Sequence, residues 1–329
     1  MKIAINGFGR IGRNVTRAIL NRDDIELVAI NDIMNIDLAA YLIRNDTIRG
    51  VFEDVEIIDN EHLRIGKHII KYSSKETPFE CDFGEADIVI EATGKFLTKD
   101  LARGHLKGNV KKVILSAPAN DDTPTYVLGV NHKNYKGEKI ISNASCTTNA
   151  LAPVIMILDE YFGVERGFIT TIHSYTMDQK LLDAPNYRDI RRSRAAASNI
   201  IPTFTGAAKA IYKVLPKMKG KLDGRSVRVP VNNVSLIDIV VDLEKEASVK
   251  EINDLFKKYS QNELKGILSV DENYLVSSDI NGRSESSIVA LDLTQTNSKM
   301  AKIFTWYDNE WGYSNRLLDM AQFIKDKDA

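Results

Sequence analysis

The chain has 329 residues, and its 44 Lys and Arg nearly balance its 45 Asp and Glu. That balance offers no broad basic surface, so we expect neither nucleic acid nor an anionic membrane as a partner. No apolar run approaches the length of a membrane span, and the N-terminus leads directly into a strand, which leaves no room for a signal peptide.

The cysteines and histidines predict a cytoplasmic protein without a metal. Cys81 and Cys146 lie in unlike local contexts and suggest no disulfide framework, as is usual in a reducing cytosol. No pair of His or Cys has the spacing of metal ligands, so we expect no metal site.

The first predicted elements are a strand, a glycine-rich loop and a helix. The apolar strand spans 2–6, and helical periodicity follows the loop. The loop has G-x-G-x-x-G spacing, in which Gly7 allows a tight turn, Gly9 lets the backbone approach a pyrophosphate and Gly12 lets helix and strand pack closely. This order of strand, loop and helix predicts a dinucleotide site.

A second predicted strand, 25–31, leads into Asp32, about 20 residues after Gly12. A carboxylate there can accept hydrogen bonds from the adenosine ribose hydroxyls and would repel a 2′-phosphate. We therefore expect NAD rather than NADP as the cofactor.

The rest of the first half continues the alternation of strand and helix, which predicts a doubly wound parallel sheet. Further strands are predicted within 86–93, 111–118 and 139–144, and a hairpin over 62–74. Ligands of such sheets bind at the carboxyl ends of the strands, where polar and small residues gather here. These residues are Asn6, Asp32, Thr93, Gly94 and Ser116.

A lone cysteine stands where the next helix begins, since helical periodicity over 150–162 follows the stretch SCTTN. A thiol in a first helical turn faces unsatisfied N–H groups and the positive end of the helix dipole. A β-rich run then ends at His173, a candidate base for Cys146. A thiolate–imidazolium pair would lower the pKa of the thiol from about 8.5 to about 4–7. The competing interpretations are a small buried hydrophobe and an ordinary core histidine.

The second half alternates apolar and polar residues in long runs, which predicts an antiparallel sheet with one covered face. Helices over 206–215 and 249–260 could cover that face. The segment 174–205 is long and irregular and holds three closely spaced arginines, which indicates a role in function or assembly. The amphipathic final helix, 314–326, should pack on the first domain.

Seven stretches match one known family in order: INGFGRIGR, EATGKF, SNASCTTN, HSYTMDQ, RRSRAAASNIIPTFTGAAKA, RVPVNNVSLIDIV and WYDNEWGYSNR. Over essentially its whole length the chain resembles the phosphorylating glyceraldehyde-3-phosphate dehydrogenases. The resemblance implies an α/β fold with a Rossmann-type NAD-binding domain, residues 1–147 with 313–329. An α+β catalytic domain with a largely antiparallel sheet, residues 148–312, would complete it.

The resemblance also implies activity and site residues. A homotetramer would use NAD and inorganic phosphate to oxidise glyceraldehyde 3-phosphate to 1,3-bisphosphoglycerate in glycolysis, through a hemithioacetal and a thioester on Cys146 with His173 as base. The cofactor-binding residues would be Asn6, Gly7, Gly9, Arg10, Ile11, Gly12, Asp32, Lys75, Thr93, Gly94, Ser116 and Asn309. The substrate's phosphate would be held by Thr176 and Arg228. The attacking phosphate would be held beside Cys146 by Ser145, Thr147, Arg191, Thr205 and Gly206.

Some residue interpretations stay open at this point. Ala184 stands where NAD-specific members of the family commonly have leucine, which leaves room near the ribose and weakens the exclusion of NADP. Arg192 and Arg194 are expected on a solvated or subunit-facing surface. Asn309 follows Asp308, and such a dipeptide also favours a plain turn.

Two other functions also stay open. Erythrose-4-phosphate dehydrogenase shares the Cys–His pair, but the segment after its histidine usually lacks the Tyr175-Thr176 seen here. A non-catalytic, NAD-responsive redox-sensing paralogue would tend to lose Cys146, His173 and Arg228, all of which are present.

Overall fold

The computed structural model describes residues 1–329, apart from the side chain of Lys209. The chain divides into two units. The first comprises Met1–Tyr126, His132–Ser145 and Ser314–Ala329, and the second comprises Val127–Asn131 and Cys146–Tyr313. The main divisions therefore fall at 145/146 and 313/314, where our predicted divisions fall at 147/148 and 312/313.

The first unit is built on one sheet of eight strands. They are β1 (Lys2–Asn6), β2 (Glu26–Asn31), β3 (Val55–Asp59), β4 (His62–Ile65), β5 (His68–Ser73), β6 (Ile88–Glu91), β7 (Lys112–Leu115) and β8 (Ile140–Ser142). Their spatial order is β8-β7-β6-β1-β2-β5-β4-β3. Strands β8 to β5 in that order pair in parallel, and the hairpin β4-β5 and the strand β3 add antiparallel pairs at one edge. The predicted parallel sheet is confirmed.

Helices connect the parallel strands, as crossovers between such strands require. They are α1 (Arg10–Ile19), α2 (Ile36–Arg44) and α3 (Lys99–Ala102). The periodicity of α1 buries Val15, Ala18 and Ile19, and Asn35 caps α2 by accepting a hydrogen bond from the Leu38 N–H at 2.9 Å. This arrangement brings the carboxyl ends of the parallel strands to one edge of the sheet.

The second unit holds a second sheet of eight strands. They are β9 (Val164–Ser174), β10 (Ile201–Phe204), β11 (Leu222–Val229), β12 (Ser235–Leu243), β13 (Leu268–Asp271), β14 (Ser287–Ala290), β15 (Gln295–Asn297) and β16 (Met300–Tyr307). The order is β10-β11-β9-β12-β16-β14-β13, and β15 pairs with β16. Most pairs are antiparallel, as predicted, but β9-β11 and β13-β14 are parallel. The long connection between β9 and β11 makes that parallel pairing possible.

The helices of the second unit are α4 (Cys146–Phe162), α5 (Ala207–Ala210), α6 (Val249–Gln261) and α7 (Ser277–Ile280). Helix α4 packs against four strands of the sheet and against α6. The helix predicted over 206–215 is wrong in its length, because α5 gives way to a 3₁₀ turn at Ile211–Lys213. Pro216 disfavours the helical conformation of the residue before it, which limits the helix from that side.

The final helix, α8 (Trp311–Asp328), contributes its residues from Ser314 onward to the first unit. There Asp319 lies 3.0 Å from the Arg22 guanidinium, and Asp328 lies 2.7 Å from the Lys112 ammonium. Among the described residues, no helix combines the length and the apolar character needed to cross a membrane.

Candidate active site and dinucleotide-binding site

The glycine-rich loop between β1 and α1 has the geometry of a pyrophosphate site. A Cβ on Gly7, whose φ is +95°, would lie 2.6 Å from the Thr93 nitrogen, and one on Gly12 would lie 2.1 Å from the Gly7 oxygen. A Cβ on Gly9 would meet no heavy atom of the described residues within 4 Å. Gly9 is also the N-cap of α1 and has no side chain to accept from the first N–H groups. Backbone donors facing open space fit the pyrophosphate of NAD.

Asp32 ties this loop to the end of β2. Its Oδ2 accepts a hydrogen bond from the Phe8 N–H at 2.5 Å, and its Oδ1 accepts one from the Met34 N–H at 3.0 Å. Met34 and Lys75 line the same cavity, with a volume of about 470 Å³. The structure thus brings the segment after Asp32 together with Lys75, as the family resemblance implies.

The other predicted cofactor residues of the first unit contribute in different ways. Ser116 follows β7, and its N–H donates to the backbone carbonyl oxygen of Glu91 at 2.9 Å. The Asn6 side chain is buried and turns inward, and Arg10 pairs with Asp46. Ile11 lies partly exposed in the first turn of α1, and Gly94 has a φ of +69°. The Asn6 and Arg10 side chains therefore stabilise the structure around the glycine-rich loop.

The second unit brings a thiol and an imidazole together. Cys146 is the first residue of α4, and His173 is the penultimate residue of β9. The Cys146 Sγ lies 3.8 Å from the His173 Nε2. Because β9 pairs with β11, His173 is also in register with Arg228.

Two neighbours contact the His173 Nδ1. Nδ1 lies 2.7 Å from the Ser174 carbonyl oxygen, which can only accept, and we assign the ring proton to Nδ1 on that contact, so that the Nε2 lone pair faces Cys146. The Arg228 Nη1 donates to the same oxygen at 2.9 Å and lies 2.8 Å from Nδ1. A guanidinium only donates, so these two donors crowd each other at one carbonyl.

The electrostatics of the folded chain oppose the expected thiolate–imidazolium pair. Burial raises the pKa of the Cys146 thiol, and Thr147 and Arg228 offset this only in part. Burial, followed by the Arg228 charge, lowers the pKa of His173 to about 3. Desolvation disfavours charge on both groups, which favours a neutral thiol beside a neutral imidazole over an ion pair. In this state the His173 Nε2 carries a lone pair and can receive a proton.

Tyr307 supports the Cys146–His173 pair through contacts with Thr147 and His173. Its hydroxyl lies 2.9 Å from both the Thr147 and Thr171 hydroxyls, and its ring packs edge-on against His173 at 6.0 Å between centroids. Tyr307 is 1% exposed. Sequence reasoning missed this residue, although its position in the WYDNEWG stretch of β16 could have drawn attention to it.

The arginines of the irregular segment differ from our expectation. The Arg192 guanidinium pairs with Asp178, which also accepts from the Thr176 hydroxyl, and Arg192 Nε donates to the Thr203 hydroxyl at 2.9 Å. The Arg192 charge acts on both His173 and Arg228. Arg192 thus belongs to the neighbourhood of Thr176 and Arg228, and its assignment to a solvated or subunit-facing surface is wrong.

Arg191 and the remaining predicted anion-site residues are placed differently. Arg191 is exposed and lines a cavity of about 580 Å³ with Thr203 and Arg225. The Thr205 hydroxyl accepts from the Ala207 N–H at 3.2 Å, at the start of α5, where Gly206 is exposed. Ser145 is the last residue of the first unit before Cys146. The described contacts do not bring Arg191 to Cys146.

Asn309 is more than a turn residue. Its Oδ1 accepts hydrogen bonds from the Ser174 hydroxyl at 3.0 Å and from the Ser235 hydroxyl at 2.9 Å. Because two hydroxyls donate to Oδ1, the orientation of the Asn309 amide is fixed, and its NH₂ is left to donate to a different group. Val234, held at φ +74°, sets the turn that brings Ser235 into place.

A pyrophosphate loop on a parallel sheet, followed by a unit that pairs a thiol with an imidazole, is the arrangement of an NAD-dependent oxidoreductase. Comparison with protein families narrows the class further. The chain belongs to the glyceraldehyde-3-phosphate dehydrogenase family. Residues 1–99 match the model of its NAD binding domain, and residues 145–309 match the model of its C-terminal domain.

Whole proteins of this family are similar over nearly the full chain. Glyceraldehyde-3-phosphate dehydrogenase 1 of Bacillus cereus is 51% identical over 334 residues, covering 99% of both chains. The enzyme of Geobacillus stearothermophilus is 49% identical over 333 residues, again 99% of both. Glyceraldehyde-3-phosphate dehydrogenase B of Aspergillus oryzae is 46% identical over 327 residues, 98% of both.

Proposed function

We propose that this protein oxidises glyceraldehyde 3-phosphate to 1,3-bisphosphoglycerate, using NAD and inorganic phosphate, as a cytoplasmic enzyme of glycolysis. The observation that carries the proposal is the 3.8 Å contact between the Cys146 Sγ and the His173 Nε2. A thiol beside a neutral base in the first turn of a helix can become a nucleophile at the moment of attack.

In the first step, His173 takes the thiol proton as Cys146 adds to the aldehyde carbon, and the imidazolium then returns this proton to the new alkoxide oxygen to give a hemithioacetal. His173 then takes the hydroxyl proton of the resulting hemithioacetal when hydride leaves its carbon. Bound NAD supplies the acceptor of that hydride. What remains on Cys146 is a thioester. The Asn309 NH₂, oriented by Ser174 and Ser235, is suited to hold the nicotinamide carboxamide.

Phosphate enters as the second nucleophile. Arg228 and Thr176 bind the substrate's own phosphate in this proposal, and Arg228 supplies a guanidinium suited to bidentate contact. The attacking ion is held by Ser145, Thr147, Thr205 and Gly206 with one arginine of the irregular segment. We assign that arginine as Arg192 in place of Arg191, because Arg192 Nε donates to the Thr203 hydroxyl at 2.9 Å, two residues before Thr205, whereas Arg191 is exposed.

The proposal includes preference for NAD over NADP through Asp32. Its carboxylate accepts hydrogen bonds from two backbone N–H groups and is therefore held in place at the end of β2. A fixed negative charge there repels a 2′-phosphate, by about 1–3 kcal/mol in a solvent-open cleft.

A homotetramer is part of the proposal. Six large apolar side chains between residues 177 and 200 are each at least 70% exposed in the single chain. They are Met177, Leu181, Leu182, Tyr187, Ile190 and Ile200. A concentration of this kind in one segment is typical of a surface that another subunit covers.

Production of NADH from glyceraldehyde 3-phosphate tests the proposal directly. With phosphate the enzyme should turn over steadily. Without phosphate it should give a burst of about one NADH per active site and then slow hydrolysis of the acyl-enzyme. Steady full-rate turnover without phosphate would make the enzyme a hydrolytic aldehyde dehydrogenase. Parallel assays with NADP and with erythrose 4-phosphate should give much lower catalytic efficiency.

A further inference from the structure

A fully buried carboxylate lies at the end of β6, outside the residues that the mechanism uses. Glu91 is 0% exposed, and the imidazole of His105, also 0% exposed, lies beside it. An unpaired ion at such a position is strongly disfavoured, so its partners explain why it is tolerated.

Four donors surround the Glu91 carboxylate. Oε1 accepts from the Thr93 N–H at 2.8 Å and from the Thr93 hydroxyl. Oε2 accepts from the Asn6 Nδ2 at 2.6 Å and lies 2.9 Å from the His105 Nε2. An ionised carboxylate has about four lone-pair sites, so this set satisfies it completely.

The proton of the pair resides on His105 Nε2. His105 Nδ1 has no hydrogen-bond partner among the described residues. A proton on Glu91 Oε2 would require Nε2 to accept, and Nδ1–H would then be a buried donor without an acceptor, which proteins avoid. Glu91 Oε2 is therefore an acceptor, and His105 is the donor that completes the shell of the carboxylate.

An acceptor at Glu91 Oε2 sets the direction of every hydrogen bond along the strand ends. Asn6 must turn its NH₂ to Glu91, so its Oδ1 accepts from the Asn31 Nδ2 at 2.8 Å. Asn31 then donates to the Lys75 carbonyl at 2.9 Å and accepts the Lys75 N–H at 2.8 Å and the Ser73 hydroxyl at 2.9 Å. The chain of bonds runs from β6 through β1 and β2 to the residues after β5.

The same carboxylate holds the backbone against which the glycine loop packs. Thr93 is fixed through both its N–H and its hydroxyl, and the Gly7 Cα approaches the Thr93 backbone so closely that no Cβ would fit. Glu91 therefore supports both the loop that faces the pyrophosphate and the Lys75 segment that faces the adenosine.

We propose that Glu91, completed by His105, is a positioning residue for dinucleotide binding, because it fixes the hydrogen-bond direction of the strand ends beneath the glycine loop. Neither residue touches the ligand in this role. Their effect is exerted through Thr93, Asn6 and Asn31.

The test is calorimetric titration of the folded protein with NAD and with ADP-ribose, alongside the melting temperature of each variant. Glu91→Gln places an NH₂ where only acceptors fit, and His105→Leu removes one donor. Each should weaken both ligands by about 10- to 100-fold. His105→Gln keeps a terminal amide donor and should stay within about threefold of the parent.

His68 provides the matched control. It is buried in the same sheet, at the start of β5, where its Nδ1 lies 3.3 Å from the Leu27 N–H. His68→Leu should lower the melting temperature as His105→Leu does, while ligand affinity changes by less than about twofold.

Parent-like affinity in folded Glu91→Gln or His105→Leu would overturn the proposal, as would an equal loss of affinity in His68→Leu. Loss of NAD binding with unchanged ADP-ribose binding would also contradict it, since the network acts on the adenosine and pyrophosphate side. If Glu91→Gln does not fold, the His105→Leu and His105→Gln pair decides.

Discussion

The strand ends of the first unit and the thiol region of the second unit satisfy their polar groups in different ways. Around Glu91, every side-chain oxygen and nitrogen of Asn6, Asn31 and Glu91 has a hydrogen-bond partner. Around His173, two donors crowd the Ser174 oxygen, and the buried Arg228 Nε has no partner among the described residues. The Glu91 carboxylate and both amides of the first region are fully paired, whereas the Arg228 guanidinium of the second region is not.

The difference follows from what each region does. A dinucleotide loop binds through backbone N–H groups, so it benefits from a rigid support that is already formed. A site for phosphorylated substrates needs donors with spare capacity, and a guanidinium crowded by another donor gains when an anion draws it away. The comparison predicts that changes to the backbone of the first region cause large losses of stability or of NAD binding. Side-chain changes in the second region should instead impair individual steps of the reaction.

The largest expected effect belongs to the second region. Cys146→Ser should lose turnover by about 10³-fold or more, because a hydroxyl is a far weaker nucleophile than a thiol beside a base. NAD binding measured by calorimetry should persist. Cys81→Ala is the control and should keep most activity, since burial raises the pKa of Cys81 to about 11 and leaves it inert. An active Cys146→Ser enzyme would remove Cys146 from the chemistry.

In the first region, the largest loss of stability is expected from a substitution at Gly12. Gly12→Ala places a Cβ 2.1 Å from the Gly7 oxygen, and displacing that backbone should cost about 2–4 kcal/mol of unfolding free energy. Gly9→Ala should leave the unfolding free energy within about 1 kcal/mol, because its Cβ meets only open space. Gly9→Ala should nevertheless weaken NAD binding, because its Cβ enters the space that the pyrophosphate needs. Denaturant unfolding and titration separate the two effects, and equal stability of the two variants would refute the assigned roles.

Periodicity predicted most of the fold and placed Cys146 at a helix start and His173 at a strand end, because strand and helix patterns determine which residues begin and end each element. The family resemblance was needed to pair the two residues. It could not distinguish Arg191 from Arg192. Neighbours in an irregular segment point in different directions, and no period says which one turns inward. Glu91 also escaped prediction, since a carboxylate at a strand end has no pattern that marks it as buried.

In the second region, Arg191 and Arg192 are expected to differ in their effect on phosphate binding. Arg192→Leu should raise the apparent KM for phosphate by about 10- to 100-fold, because a charge-assisted donor is lost. Arg191→Leu should change it by less than about threefold, because exposed charges contribute little. The phosphate-free burst should survive in both variants, since hydride transfer precedes phosphate attack. The reverse order of the two effects would restore Arg191 to the site.

The smallest expected effect concerns the resting charge of the thiol in the protein without cofactor. Only thiolate reacts with iodoacetamide, and burial raises the pKa of Cys146. Below a raised pKa the thiolate fraction grows tenfold per pH unit, so the rate of Cys146 alkylation should climb steadily from pH 6 to 8. The Thr147 hydroxyl lowers the pKa of Cys146, so Thr147→Val should raise it further and slow alkylation by about threefold at any pH in this range. A pH-independent rate below pH 7 would instead mean that a thiolate–imidazolium pair already exists, and that desolvation does not decide the charge of this region.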